Sequence, residues 1–116
     1  MVVRRLSLYN IVKLTVKNRS TIESGSVVEI EVNEEVKIQP SQLTYDSYGE
    51  LDGIKTPYGK LYIRKSIAKK GVVQMVHTPF PSGYKGVPLV VLKNEDVSPI
   101  ELLAGEEIGE LWIFDL

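Results

Sequence analysis

Short alternations of apolar and polar residues recur along this chain and predict strands. Ile11-Val-Lys-Leu-Thr-Val16 and Val27-Val-Glu-Ile-Glu-Val32 put every second side chain on one face, the period of a half-buried strand. Further strands are predicted at Glu35–Ile38, Lys60–Ile63, Val72–His77, Val87–Leu92, Ile100–Leu103 and Ile108–Phe114. Turn-forming clusters separate them: Glu23-Ser-Gly-Ser, Gln39-Pro-Ser, Asp46-Ser-Tyr-Gly, Leu51-Asp-Gly, Thr56-Pro-Tyr-Gly and Asn94-Glu-Asp. Strands this short at this spacing imply a mostly β fold, a jelly roll or compact barrel-like sandwich. One helical turn is expected near Lys65–Lys70, stopped by Gly71. Arg5–Lys13 reads as helix or strand.

Length and composition narrow the class. A chain of 116 residues is expected to form a single domain with one core. Its 43% hydrophobic and 25% charged residues are ordinary for a soluble protein. No apolar run approaches the roughly 18 residues of a membrane span. Met1-Val-Val-Arg-Arg-Leu lacks the pattern of a signal peptide, so a cytoplasmic location is expected. The absence of cysteine excludes disulfides, thiolate nucleophiles and Cys-based zinc. With His77 as the single histidine, a His-rich metal site within one subunit is excluded too. Asp46, Glu50 and Asp52 read as solvated turn carboxylates, and no metal site is assigned to them.

Charge changes the picture because it is blocked. Residues 1–20 carry net +5, residues 21–54 net −7, residues 55–85 net +7 and residues 86–116 net −6. Complementary pairing between strands or subunits is one reading. The other is that the middle block gathers cations for an anionic ligand.

That middle block contains Gly59-Lys-Leu-Tyr-Ile-Arg-Lys-Ser-Ile-Ala-Lys-Lys-Gly71, a strand running into a short turn. The first amides of such a turn lack intrahelical partners and can donate to phosphate oxygens. Arg64, Lys65, Lys69 and Lys70 add charge at the same place. Pro81-Ser-Gly-Tyr-Lys-Gly86 and Gly105-Glu-Glu-Ile-Gly-Glu-Leu-Trp112 follow.

In order and spacing these three segments resemble motifs of the dUTPase and dCTP deaminase superfamily, over residues 26–116; residues 1–25 diverge. Val36-Lys-Ile-Gln-Pro-Ser-Gln-Leu-Thr44 is similar to the extended, proline-bearing segment that precedes them. Arg64, Ser66, Ala68 and Gly71 match the family's Arg-Ser-x-x-Ala motif and its glycine, with Lys65 at the first serine position. Lys69 stands where the deaminases carry an arginine. The resemblance implies Arg64, Lys65, Ser66 and Lys69 at the phosphates. It implies Tyr84 against the deoxyribose, in register with Gly86 and Asn94, with Gln74 and His77 near the base. It also implies a dUTPase-like jelly-roll or β-clip barrel whose subunits form a homotrimer, with pockets between them.

The departures fall on the chemistry. The water-orienting aspartate of dUTPases corresponds to Pro81, which has neither an ionisable group nor an amide hydrogen. General-base catalysis contributes about 10²–10⁴-fold, so little rate would survive its loss. The deaminases' glutamate corresponds to Val91, and the uracil-reading asparagine to Met75. Glu110 replaces a phosphate-facing glutamine, and a carboxylate there repels phosphate unless a cation intervenes. The arginine-bearing tail that closes over the triphosphate in trimeric dUTPases is not expected after Leu116.

The sequence therefore points to a relative with no assigned catalytic residue that binds a deoxynucleotide or another phosphorylated ligand. An active dUTP pyrophosphatase using magnesium and a relocated carboxylate such as Glu110 is one alternative. A non-catalytic assembly module with a protein partner is the other.

Overall fold

The computed structural model describes residues 7–115 of the chain. Twelve strands and one helical turn follow one another. They are β1 (Ser7–Thr15), β2 (Ser20–Ile22), β3 (Val27–Ile30), β4 (Val36–Lys37), β5 (Gln42–Tyr45), β6 (Leu51–Lys55), β7 (Tyr58–Ile63), α1 (Lys65–Ala68), β8 (Val72–Gln74), β9 (Lys85–Gly86), β10 (Val90–Asn94), β11 (Ile100–Leu102) and β12 (Glu107–Asp115). All pairings are antiparallel. The larger sheets run β1-β12-β7 and β3-β10-β8, and β11-β2, β4-β9 and β5-β6 pair separately.

The mostly β expectation holds, and most predicted strands appear. The open choice for Arg5–Lys13 resolves to strand from Ser7 onward, with Arg5 and Leu6 outside the described residues. Val72–His77 forms regular strand only to Gln74, and the strand predicted at Val87–Leu92 starts at Val90 and runs to Asn94. Pro88 explains the late start, because it has no amide to give a ladder. β2 escapes the alternation pattern because it has three residues and one apolar position, Ile22, which is fully buried.

Core residues come from both sheets and from the connections between them. Leu14, Leu92, Ile108 and Leu111 are completely buried, and Val36 and Ile38 nearly so. Each such burial contributes roughly 1.5–3 kcal/mol. Gly109 allows β7 and β12 to meet: a Cβ there would lie 2.6 Å from the Tyr62 carbonyl oxygen.

Asn94 is the one buried polar residue among those described, and it is fully enclosed. Its Nδ2 donates to the carbonyls of Ile22 (2.8 Å) and Ser98 (2.9 Å), and its Oδ1 accepts from the Asp96 amide (2.8 Å). Its backbone N donates to Ser26 O at 3.1 Å, and its carbonyl accepts from Gly25 N at 2.8 Å. One side chain thus joins β2, β10 and the loop that follows β10.

The described residues do not pack into a sphere. Their radius of gyration is 17.6 Å, against about 13 Å for a compact chain near 100 residues, and they extend 62 × 28 × 18 Å. The β5–β6 hairpin is the unexpected element, since Leu51-Asp-Gly reads as a turn and instead starts β6. Asp46 makes the real turn: its Oδ1 accepts from the amides of Tyr48 (2.8 Å) and Glu50 (3.0 Å). Register pairs Leu43 with Ile54 and Tyr45 with Leu51 on one face, and Thr44 with Gly53 on the other. The apolar face is exposed, whereas Thr44 and Gly53 are half-buried.

Candidate functional site

The cation-bearing turn is held from beneath. Arg64 N donates to Ile108 O (2.9 Å), fixing the end of β7 to β12. Ile67 is 1% exposed and anchors α1 in the core, so its neighbours Lys65, Ser66, Lys69 and Lys70 stay at the surface. Gly71 ends the turn at φ +99°, where a Cβ would come within 2.9 Å of Asp96 Cβ. The apolar Ile67 between cations is what makes a four-residue helix stand at a fixed place.

Carboxylates from the last acidic block partly neutralise this turn. Arg64 Nη1 lies 3.3 Å from Glu107 Oε2, and Lys70 Nζ lies 3.2 Å from Glu106 Oε1. Lys65 and Lys69 have no ion pair among the described residues. Lys55 and Asp115 approach to 3.9 Å, so three pairs join residues 55–85 to residues 86–116. The complementary-pairing reading of the charge blocks therefore accounts for part of the middle block, and two lysines of the turn remain for an anion.

Two adjoining clefts open beside the turn. One, of about 180 Å³, is lined by Tyr62, Ile63, Arg64, Lys65, Glu110 and Trp112. The other, of about 270 Å³, is lined by Lys60, Leu61, Tyr62, Ile63, Gln74 and His77. Tyr62 and Ile63 border both. The fold thus gathers Arg64, Lys65 and Glu110 in one cleft and places Gln74 and His77 in the next. Gln74 Nε2 donates to Val76 O at 2.8 Å, which steadies the segment leading to His77. Ser66 and Lys69 sit on the turn outside both clefts.

Tyr84 lines neither cleft. Its ring meets Phe80 edge-on at 5.0 Å, and its hydroxyl donates to Val87 O at 3.2 Å. Pro81 opens the tight turn that Tyr84 N closes onto Pro81 O (3.1 Å), with Gly83 at φ +79°. Val91 is half-buried opposite Glu29 of β3. Glu110 is the carboxylate that lines the cleft of Arg64 and Lys65, and its Oε2 accepts from Trp112 Nε1 at 2.8 Å.

Lys60, Tyr62 and Trp112 line these clefts without having been singled out as site residues. Strand alternation carries the signal: Lys60 and Tyr62 share one face of β7, and they oppose Trp112 and Glu110 of β12. Tyr62 and Trp112 meet at 4.8 Å between ring centroids. A cleft with cations, one carboxylate and an aromatic wall suits a planar, negatively charged ligand. No group of three potential metal-ligating side chains comes together among the described residues, and no helix there is long and apolar enough to cross a membrane.

No protein-family model matches the sequence, and no curated protein matches it. Solved structures do match. The dUTPase of EIAV superposes with a TM-score of 0.67 at 21% identity, covering 87% of this chain and 71% of that one. A dUTPase from Streptococcus mutans gives a TM-score of 0.53 at 22% identity, covering 87% and 73%. This likeness supports the architecture that the motifs of residues 26–116 imply: the chain is built on the dUTPase fold.

Proposed function

We propose that this chain binds a deoxynucleotide or a related phosphorylated ligand, with catalysis lost or weak, and that copies assemble as a homotrimer. The observation that carries this reading is the convergence of Arg64, Lys65, Tyr62 and Trp112 on one cleft of a dUTPase fold. Lys65 and Lys69 attract the phosphates, and Arg64 joins them by leaving Glu107. The aromatic wall and the Gln74–His77 cleft receive the sugar and base. Tyr84 lines neither cleft of its own copy and meets the ligand where copies adjoin. Weak catalysis follows from Pro81 and Val91, which cannot orient or deprotonate water.

A thermal-shift panel of dUTP, dCTP, dUMP and inorganic tripolyphosphate tests the binding. A ligand at 100 times its Kd stabilises by about 2.7 kcal/mol, a shift easily read. Stabilisation by dUTP that Arg64→Ala with Lys65→Ala abolishes is expected. Flat curves throughout sink the reading.

Glu110 in the same cleft as Arg64 and Lys65 favours a second reading, an active pyrophosphatase that uses this carboxylate with magnesium. Magnesium-dependent release of pyrophosphate from dUTP, abolished by Glu110→Gln, would establish it.

A further inference from the structure

The cleft beside the cation-bearing turn carries its own counter-charge. Arg64 and Lys65 line it, but so does Glu110, and Arg64 already lies 3.3 Å from Glu107. Two cations therefore face two carboxylates, with no net charge. Lys70 is engaged by Glu106 at 3.2 Å, and Lys60 belongs to the adjoining cleft. Lys13 is the cross-strand neighbour of Glu110 in register, yet it makes no ion pair among the described residues. A phosphate monoester brings about two negative charges at neutral pH. A triphosphate brings more, and this balance leaves the excess unmatched within the cleft.

Glu110 is also held in one pose. It stands two residues before Trp112 on β12, so both side chains project from the same face. Its Oε2 accepts from Trp112 Nε1 at 2.8 Å. Register sets it opposite Tyr62, whose ring meets Trp112 at 4.8 Å between centroids. The other oxygen, Oε1, has no hydrogen-bond partner among the described residues. It is not enclosed either, since Asp115 Oδ1 is the one buried side-chain atom there without a partner. The carboxylate thus offers one free acceptor at the foot of the aromatic wall. Arg64 and Lys65 lie beyond it, where β7 passes into α1.

We propose that this cleft selects a nucleoside monophosphate over a triphosphate, and that Glu110 sets the preference. The nucleoside packs on Tyr62 and Trp112, and one of its N–H or O–H groups donates to Glu110 Oε1. The single phosphate reaches Lys65 and Arg64. A longer phosphate chain shares the cleft with the carboxylate, and because Glu110 is half-buried, water screens that repulsion less. This inference rests on the reading that the cleft takes a nucleotide, and it adds which phosphorylation state is taken and why.

Calorimetry with dUMP and dUTP tests it, in excess chelator so that no metal ion screens the carboxylate. The native chain is expected to bind dUMP about tenfold more tightly than dUTP. Glu110→Gln should weaken dUMP, tighten dUTP and so reverse the order. Its amide oxygen keeps the Trp112 N–H, which turns the NH2 towards the ligand and replaces an acceptor by a donor. Glu110→Ala serves where the glutamine variant does not fold, and should erase the preference. Trp112→Phe keeps an aromatic wall but removes the N–H that fixes the carboxylate, so the preference should shrink without reversing.

If the native chain binds dUTP ahead of dUMP, or if the Glu110 variants leave the native order unchanged, the proposal is overturned while nucleotide binding stands. If neither nucleotide binds, the proposed function fails with it.

Discussion

Replacing Asn94 by aspartate isolates one term of the folding free energy. The two side chains are nearly isosteric, so no cavity opens and packing is unchanged. The Oδ1 that accepts from the Asp96 amide persists. What changes is the group facing the carbonyls of Ile22 and Ser98 at 2.8 and 2.9 Å, where two donated hydrogens give way to a third acceptor. Leaving each buried acceptor unsatisfied costs about 1–3 kcal/mol, and burying an uncompensated charge adds to it. A loss of at least about 3 kcal/mol at pH 7 is expected, a large part of the roughly 5–15 kcal/mol that holds a domain folded. Urea unfolding followed through Trp112, the single tryptophan, measures it as a fall in midpoint at constant slope. The pH dependence has a definite sign. Enclosure and the two carbonyls raise the folded pKa of the introduced carboxyl above its unfolded value of about 3.9. The folded state then binds more protons than the unfolded one, so the deficit is smallest below the unfolded value. It grows as pH rises towards the folded value and is constant beyond. A variant within about 0.5 kcal/mol of the native protein at pH 7, or a deficit that deepens on acidification, would show that the Asn94 amide does not hold these carbonyls.

Other expectations are local and separable. Gly109→Ala forces a Cβ to within 2.6 Å of the Tyr62 carbonyl, so β7 must move off β12; a loss of about 2–4 kcal/mol in urea unfolding is expected. Ile67→Ala removes the anchor of α1 and should cost about 2–5 kcal/mol, again read by urea unfolding. Glu107→Gln releases Arg64 from its 3.3 Å carboxylate partner and should tighten tripolyphosphate binding several-fold, roughly 1 kcal/mol, by calorimetry at low salt. Raising the salt to about 1 M should erase most of that gain.

The turn with Ile67 buried among cations was legible in the chain because its determinants are local. An apolar residue amid charged ones, followed by a glycine, specifies a short helix with one buried side. The strands of β1, β3, β7, β11 and β12 were likewise legible wherever alternation spans several residues. β2 was not, since one buried Ile22 makes no period. The β5–β6 hairpin was misread because Asp-Gly normally marks a turn, whereas Asp46 had already built the turn through Tyr48 and Glu50.

The candidate site divides in the same way. The residue types can be read from the chain alone: a cationic strand-turn, and no carboxylate at Pro81 or Val91. Only folding sets Glu107 against Arg64, gathers Glu110 and Trp112 in the cleft of Lys65, and leaves Tyr84 out of its lining. The reason is that β12 is the central strand between β1 and β7. Cross-strand neighbours 45 or more residues apart in the chain become adjacent there, and no local pattern encodes that register.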